Sequence, residues 1–407
     1  MRVTTNLIFD QNFRAINNSQ GKLSDIQTQL ASGRKLLRPS DDPVGAVQVI
    51  RLTEEIDKTV QYRRNIDLAT NNLELQDTTM RSINEIVNRG RVLVVQSGNG
   101  IISTEDRRAL ASELDQIRNQ VIDLMNTQNA SGEYIFAGYQ SREQAFNFNP
   151  GNSINPIQFQ GDDGINSMQL SDSVSIQTTV SGKTLFEDVK ARLDITNVSA
   201  AGFAFGGYDM QSQDDFDVFH ELNFSAVSPA NNQYQMELLA SNEIQVTNLG
   251  TGSVVDTIPY IAGQPTVFAG LTVDIQGGVG STFDFELKRP DKQNLAETLH
   301  NMSLALNDSS ISDYQYQREI RNALVGIDNG LDKMARENSS VGARLNIAES
   351  VLGSLLDTDV ANQKARSTIQ DVDYAEASAE FSKQETALSA AFASFPRVAG
   401  LSLFDFI

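Results

Sequence analysis

The sequence predicts a mainly α-helical fold with a β-rich insert. Long coiled-coil helices from both chain ends would form an elongated rod, and the middle of the chain would form an outer β domain. Three observations predict this fold. Proline is confined to a few places, apolar residues recur at heptad spacing in both flanks, and the middle alternates apolar with polar residues.

Proline placement separates the flanks from the middle. No proline occurs between Pro43 and Pro150 or between Pro290 and Pro396, whereas residues 150–290 hold six of the nine prolines and 14 of the 27 glycines. Because proline breaks a helix interior and glycine weakens it, both flanks are free to form long helices and the middle is not.

Heptad spacing predicts coiled-coil packing in both flanks. Polar residues occupy this spacing only at Gln76 and Asn338, where an isolated polar residue more often fixes helix register than binds a metal ion. A shorter helix is predicted after the capping-box pattern Ser103-x-x-Asp106. The repeating positions are Ile66, Ala69, Leu73, Gln76, Met80, Ile83, Val87, Gly90 and Val94 in the first flank, and Ile320, Leu324, Ile327, Leu331, Met334, Asn338, Val341, Leu345, Ala348, Leu352 and Leu355 in the second.

The middle of the chain has the pattern of β-strands. Residues 173–180 and 272–276 alternate apolar with polar side chains, and clusters of Gly or Asn separate such runs. The run lengths predict a small sandwich or barrel.

Composition argues against an enzyme. The chain has no Cys, which excludes thiolate chemistry, disulfides and Cys-containing zinc sites. Its two histidines, His220 and His300, are interpreted as packed or surface residues. The acidic pairs 162–163 and 214–215 lack the spacing of a calcium loop and are interpreted as solvated, and the glycines of 277–280 as a turn. No catalytic residue, metal or cofactor is predicted.

Charge and hydropathy limit the partners. Asp and Glu outnumber Lys and Arg by 52 to 32, a net charge of -20 that repels nucleic acid and anionic lipid, so neither nucleic acid nor a membrane is an expected partner. No apolar run approaches the ~20 residues of a membrane span. The N-terminus lacks the apolar core of a secretory signal, so a cleavable signal peptide is not expected.

Both chain ends are apolar at helical spacing, although chain ends are usually polar and frayed. Five of the last seven residues are large and apolar. Two thin helices cannot bury all of this surface, so we expect the ends to bind neighbouring subunits and to become ordered on assembly. Gln20 and Gln27 share the N-terminal spacing. The predicted interface residues are Phe9, Phe13, Ile16, Leu23, Leu30, Tyr374, Phe381, Leu388, Phe392, Phe395, Leu403 and Phe404.

Short motifs add a family resemblance. Residues 40–43 read Ser-Asp-Asp-Pro, residues 132–139 read Gly-Glu-Tyr-Ile-Phe-Ala-Gly-Tyr, and residues 341–345 read Val-Gly-Ala-Arg-Leu. With them the chain resembles the hook–filament junction proteins of the bacterial flagellum, the third hook-associated proteins of the flagellin-like family. The match covers most of 1–148 and 330–407 but not the insert. The motif residues are Ser40, Asp41, Asp42, Pro43, Tyr134, Phe136, Gly138 and Tyr139.

These motifs also have a local structural interpretation. Asp42 is expected to cap a helix that has Pro43 in its first position. Residues 134–139 form an apolar run that is expected to be strand-like.

The resemblance implies a tubular assembly, with a homo-oligomeric ring at the hook–filament junction outside the cell. Its implied partners are the preceding hook-associated protein (FlgK-like), flagellin, and a cytosolic export chaperone (FlgN-like), with export through the flagellar type III apparatus. The implied domains are a terminal inner coiled coil (1–45 with 365–407), a helical rod (46–145 with 291–364) and a β-rich outer domain (146–290).

Two alternatives stay open. Flagellin, the filament subunit itself, shares the plan of helices at both ends of the chain. A carbohydrate-binding, adhesin-like or hydrolytic role of the insert would be indicated by a cleft with paired carboxylates, and the sequence selects no such pair.

Overall fold

The computed structural model describes residues 2–99, 102–152 and 155–399. The predicted fold class is confirmed, since helices make up the flanks and strands the middle. In the described part of the chain, no helix combines the length and the apolar character that a bilayer span requires. The α-helices are α1 (Arg2–Ser32), α2 (Pro43–Ser97), α3 (Thr104–Met125), α4 (Gln213–Asn223), α5 (Leu295–Asn307), α6 (Asp313–Gln370) and α7 (Tyr374–Ala399).

Side-chain caps define where two of these helices begin, as predicted. Helix α2 starts at Pro43, and Asp42 Oδ1 accepts hydrogen bonds from the backbone N–H groups of Val44 and Gly45, at 3.1 and 3.0 Å. Before α3, the Ser103 hydroxyl accepts a hydrogen bond from the N–H of Asp106 at 3.1 Å. Each cap satisfies a donor that has no partner within the helix.

The strands lie between α3 and α5. They are β1 (Phe146–Phe148), β2 (Ile157–Phe159), β3 (Ser167–Gln169), β4 (Ser175–Gln177), β5 (Val189–Lys190), β6 (Ile195–Met210), β7 (Gln233–Leu238), β8 (Glu243–Asn248), β9 (Val254–Pro259), β10 (Thr266–Phe268), β11 (Leu271–Leu287) and β12 (Lys292–Gln293). A π turn (Lys183–Glu187) and a 3-10 turn (Pro229–Asn232) interrupt them.

Strand pairing differs from the predicted sandwich or barrel. One six-stranded antiparallel sheet has the order β10-β11-β7-β8-β9, and β6 pairs with β11. The pairs β1–β2, β3–β4 and β5–β12 are separate ribbons. The alternating pattern indicated strands correctly, but the partner of each strand depends on contacts far apart in sequence, which local alternation does not encode.

The predicted glycine turn is instead an irregularity within β11. The register between β11 and β6 shifts between Gly277 and Thr282, and Gly280 has a φ of +83°. Opposite it, Gly202 of β6 has a φ of +77°. Because a left-handed backbone suits glycine, both long strands can depart from regular pairing here.

The sheet buries an aromatic and aliphatic core. Helix α4 contributes Phe216 and Phe219 to it, and Phe219 lies edge-on to Phe268 with ring centroids 4.9 Å apart. Strands β7 and β8 bury alternate residues, as the period of two requires.

The chain forms two compact units. Of the described residues, the first unit comprises those up to Asp67, Gln169–Val174 and those from Ile347 onward; the second comprises Leu68–Met168 and Ser175–Asn346. The predicted α2 positions Leu73, Met80 and Ile83 are wholly buried.

Helix α6 buries the predicted positions Ile320, Ile327, Met334, Val341 and Ala348, but between them the buried stripe is displaced by one residue. Ala323 and Gly330 are buried, whereas Leu324 and Leu331 are half-buried. The reason is close approach by α5, since a Cβ on Gly330 would lie 2.7 Å from Leu295 Cδ1. Small residues therefore occupy the contact line, a feature that apolar spacing alone does not reveal.

Candidate assembly interface

Helices α1 and α7 pack against one another in the first unit. Ile16 and Ala377 are buried, and Leu23, Leu30, Phe381 and Leu388 are half-buried. On α1 the covered stripe continues through Ile26, whereas Gln20 and Gln27, which share the predicted spacing, are exposed within the chain. The spacing 16-19-23-26-30 suits a coiled coil equally well and keeps the glutamine amides in water.

Several aromatic residues of this helix pair remain exposed. Phe13 on α1 is 52% exposed, and on α7 Tyr374 is 58% and Phe392 50% exposed. The helix pair thus covers one face of each helix and leaves large rings on the other. Of the remaining predicted positions, Phe9 and Phe395 fall within α1 and α7 but their side chains lie outside the described residues, as do Leu403 and Phe404 altogether.

A backbone joint holds the ends of these helices together. The N–H of Lys35 donates to the carbonyl of Gln370 at 2.7 Å, and the N–H of Val372 donates to the carbonyl of Gly33 at 3.0 Å. These two bonds flank an antiparallel bridge between Arg34 and Asp371. The turn after α1 is therefore tied to the break between α6 and α7, which sequence patterns did not indicate.

The Ser-Asp-Asp-Pro motif organises the chain that leaves this joint. Asp41 Oδ2 accepts a hydrogen bond from the N–H of Arg38 at 2.8 Å, Ser40 lies beside Asp41, and Asp42 caps α2 at Pro43. All four motif side chains are exposed. The motif is thus an ordered turn, and its four side chains are left exposed by the described part of the chain.

An apolar strip on the first turns of α2 was missed by the sequence analysis. Val44, Val47 and Ile50 are 69, 65 and 57% exposed. Their three-residue spacing was the available signal, but the predicted seam of the first flank began only at Ile66. Val360 of α6, in the same unit, is also exposed.

The Tyr-Ile-Phe-Ala-Gly-Tyr motif forms a compact turn in the second unit. Tyr134 makes only an isolated bridge to Gln128, and residues 135–139 are turns, so the predicted strand-like conformation is wrong. Phe136 is fully buried and lies edge-on to Phe186 at 5.1 Å between centroids. An apolar run can be buried by its neighbours without pairing as a strand.

Asp162 fixes the end of this turn. Its Oδ1 accepts hydrogen bonds from the N–H groups of Tyr139 at 2.8 Å and Gly164 at 2.7 Å. Its own N–H donates to the carbonyl of Ala137 at 3.1 Å. Gly138 has a φ of +72°, and a Cβ there would collide with the Asp162 backbone. Asp162 is therefore an organising residue rather than the solvated acid that was predicted.

The two histidines, His220 and His300, pack against neighbouring side chains. His220 is buried, stacks on Phe224 and places Nε2 2.7 Å from the carbonyl of Lys288; burial lowers its pKa. Burial and the nearby Arg118 guanidinium lower the pKa of His300. No cluster of three or more potential metal ligands occurs within residues 2–99, 102–152 and 155–399.

Profiles of known protein families match both flanks of the chain. The profile of the bacterial flagellin N-terminal helical region matches residues 3–141, and that of the bacterial flagellin C-terminal helical region matches residues 324–402. Together these regions account for just over half of the 407 residues.

Individual relatives agree with these profiles. Flagellar hook-associated protein 3 of Salmonella typhimurium is 32% identical over 146 residues, 36% of this chain and 46% of that protein, so the chain spans about half of that relative's length. A flagellin of Clostridium tyrobutyricum is 21% identical over 388 residues, 94% of this chain and 95% of that one. The crystal structure of the flagellar junction protein FlgL from Legionella pneumophila superposes with a TM-score of 0.56 at 21% identity, covering 79% of this chain and 100% of that one.

Proposed function

Because this chain belongs to the bacterial flagellin family, we propose that it is a structural subunit of the flagellum that joins the hook to the filament. Its relatives are structural flagellar proteins, and no catalytic role is proposed. The observation that carries the proposal is the incomplete burial of the terminal helices, which leaves Phe13, Tyr374 and Phe392 exposed.

Apolar side chains on long helices favour contact with copies of the same helices. Exposed rings each gain about 1.5–3 kcal/mol when fully buried. A head-to-tail contact of this kind repeats from subunit to subunit and produces a ring or tube. The predicted interface residues of the two chain ends form the inner layer of that assembly in our proposal, and the exposed strip at Val44, Val47 and Ile50 contributes to it.

The proposed organisation has three parts: an inner coiled coil (1–45 with 365–407), a helical rod (46–145 with 291–364) and a β-rich outer domain (146–290). The proposed partners are a homo-oligomeric ring, the preceding hook-associated protein, flagellin, and a cytosolic export chaperone that covers the apolar C-terminal end. Export through the flagellar type III apparatus delivers the chain to the cell exterior in this proposal.

A deletion strain tests the junction role. Cells without this chain should carry bare hooks and release unpolymerised flagellin into the medium, because the filament has no seat. Electron microscopy and immunoblotting of the culture medium measure both results, and re-expression of the chain is the control. Normal filaments on the deleted strain contradict the proposal.

The alternative role as filament subunit is favoured by the near full-length match to a flagellin. Immunogold labelling distinguishes the two roles. A junction protein is labelled at one short zone next to the hook, whereas a filament subunit is labelled along the whole filament.

A further inference from the structure

One aromatic side chain of the β1–β2 ribbon is held by groups from two helices. Phe148, the last residue of β1, contacts Arg118 of α3 and His300 of α5. The guanidinium carbon of Arg118 lies 4.4 Å from the centre of the Phe148 ring. The His300 ring meets the Phe148 ring edge-on, with the two centroids 5.4 Å apart. We call these three side chains the Phe148 clamp.

The clamp requires a neutral imidazole. Arg118 Nη1 donates a hydrogen bond to His300 Nδ1 at 2.8 Å. Because a guanidinium has donors only and stays charged, Nδ1 is the acceptor and carries no hydrogen. A proton taken up by His300 goes to this same nitrogen, since the other ring nitrogen of a neutral imidazole already carries one. Protonation therefore replaces the hydrogen bond by two N–H groups and two positive charges that face each other.

Arg118 is fixed by partners on its own helix. Its side chain is 8% exposed and forms an ion pair with Asp115, three residues earlier on α3. Its Nη2 also donates to Asn119 Oδ1 at 3.0 Å. Because these partners do not depend on α5, the guanidinium keeps its place when His300 becomes charged, and the contact between α3 and the ring of His300 is the one that breaks.

The carboxylate of Asp115 does not cancel the repulsion. It raises the pKa of His300, but burial and the Arg118 guanidinium lower that pKa and have the larger effects. Asp115 is already paired with Arg118, so it has less capacity to stabilise a charged His300.

The other elements packed around α5 supply no compensating charge. Glu297, one turn before the histidine on α5, has its pKa raised by burial, and its charged neighbour is Glu187 of the π turn. Helix α6 approaches α5 closely at Gly326 and Gly330, which are uncharged. The ribbon has no charged residue within 146–159. The protonation state of the clamp is therefore decided mainly by burial and by α3.

The other end of β1 does not depend on the clamp. Phe146 is fully buried, and the side-chain amide of Asn126 binds its backbone on both sides. The N–H of Phe146 donates to Asn126 Oδ1 at 2.8 Å, and Asn126 Nδ2 donates to the carbonyl of Phe146 at 2.9 Å. Loss of the contacts at Phe148 therefore leaves the strand attached at Phe146.

We propose that the Phe148 clamp is a pH-operated latch: neutral His300 holds the end of β1 on helices α3 and α5, and protonation of His300 releases it. The released form binds the proton better, because its imidazole has the ordinary pKa near 6.5 while that of the clamped form is lower. Each pH unit below that value favours release by up to about tenfold. The latch uses neither the terminal helices nor the strip on α2, so it does not rest on the proposed assembly role.

A single tryptophan at the latch tests the proposal, because the chain has no other. In Phe148→Trp, the emission maximum should move to longer wavelength as the pH falls from about 8 to 5, since release transfers the indole ring to water. Adding His300→Gln to this variant should abolish the shift, because an amide oxygen accepts the hydrogen bond from Arg118 but does not titrate. His220→Gln, which removes the other histidine, is the matched control and should leave the shift in place.

Hydrogen–deuterium exchange of the unsubstituted chain gives a second measurement that needs no tryptophan. Between about pH 6.5 and 5.5 the protection of β1 at Phe148 should fall by up to about tenfold, after correction for the intrinsic exchange rate, and should not fall in His300→Gln. Circular dichroism over the same pH range verifies that the helices stay folded. The proposal is overturned by protection that does not change with pH, by a change of emission or protection that persists in His300→Gln, or by one that accompanies loss of helix.

Discussion

Gly132 and Gly138 both have left-handed backbones, with φ of +76° and +72°, but their surroundings differ. A Cβ on Gly132 would meet nothing within 4 Å, whereas one on Gly138 would collide with Asp162. Gly132→Ala should therefore lower the free energy of unfolding by about 1–2 kcal/mol from backbone strain alone. Gly138→Ala should lower it by a further ~1–3 kcal/mol from the collision. Urea denaturation measures both, and equal losses would show that the Asp162 contact is unimportant.

The pH dependence of stability depends in part on His220. Burial lowers the pKa of His220 in the folded state below its ordinary value of 6.5. The unfolded chain therefore takes up a proton that the folded chain resists, and stability is lost as the pH falls from about 7 to 5. His220→Gln should reduce this loss, because an amide can still donate to Lys288 but does not titrate. Denaturation curves at pH 8 and pH 5 give the comparison; an unchanged loss in the variant is the contrary result.

Among the elements, the sequence predicted helices far better than turns. Heptad spacing identified α2 and α6 because a helix brings residues three and four apart onto one face. The turn at residues 134–139 was assigned wrongly because its shape depends on Asp162 and Gly182, the latter donating from its N–H to the carbonyl of Phe136 at 2.8 Å. Such partners, more than 20 residues away, leave no local pattern. On α1, Ile16 is buried and Leu23 and Leu30 are half-buried, whereas Gln20 and Gln27 are exposed; contact of these positions with neighbouring subunits stays a prediction.

Two positions on α7 separate packing within the chain from packing between chains. Leu388 is half-buried in the helix that packs against α1, whereas Phe392 is exposed. Leu388→Asp should loosen the helix pair in the purified chain and increase proteolytic trimming of both ends, because a buried charge without a partner costs several kcal/mol. Phe392→Asp should leave trimming unchanged. Both variants should abolish filament attachment and motility.

Ser389→Asp is the matched control, since it adds the same charge at an exposed position of the same helix. It should swim normally. Normal motility of the Phe392→Asp strain would contradict the proposed role of the exposed aromatic side chains in assembly.

At the scale of the whole molecule, the chain enters the six-stranded sheet and leaves it at adjacent positions. Ile195 and Leu287 are paired across β6 and β11, and the N–H of Lys288 donates to the carbonyl of Asp194 at 3.0 Å. The ribbons before β6 are different, because they bond to the helices: Gln76 Nε2 donates to the carbonyl of Thr178 at 2.6 Å. The part of the insert that can be removed without loss of helix contacts is therefore 195–287, which is shorter than the range 146–290 that the composition indicates.

Replacing residues 195–287 by a short Gly-Ser linker should leave a cooperatively folding helical protein, because the ends to be joined are adjacent and a short closure costs little entropy. Circular dichroism should show a higher helix fraction and a single melting transition. Deleting 149–290 is the comparison and should lower the melting temperature, since it also removes Thr178 and the buried Phe186. An unfolded 195–287 deletion would mean that the sheet supports the helices.

The pairing of α1 with α7 has a consequence for the nascent chain during its synthesis on the ribosome. About 340 residues separate the end of α1 from the start of α7. At ~5–20 residues per second, the ribosome needs roughly 20–70 s to make the partner of a helix that is already complete. Throughout that interval Ile16, Leu23 and Leu30 face the cytosol uncovered, so whatever first meets the emerging N-terminus competes with the last segment to be translated.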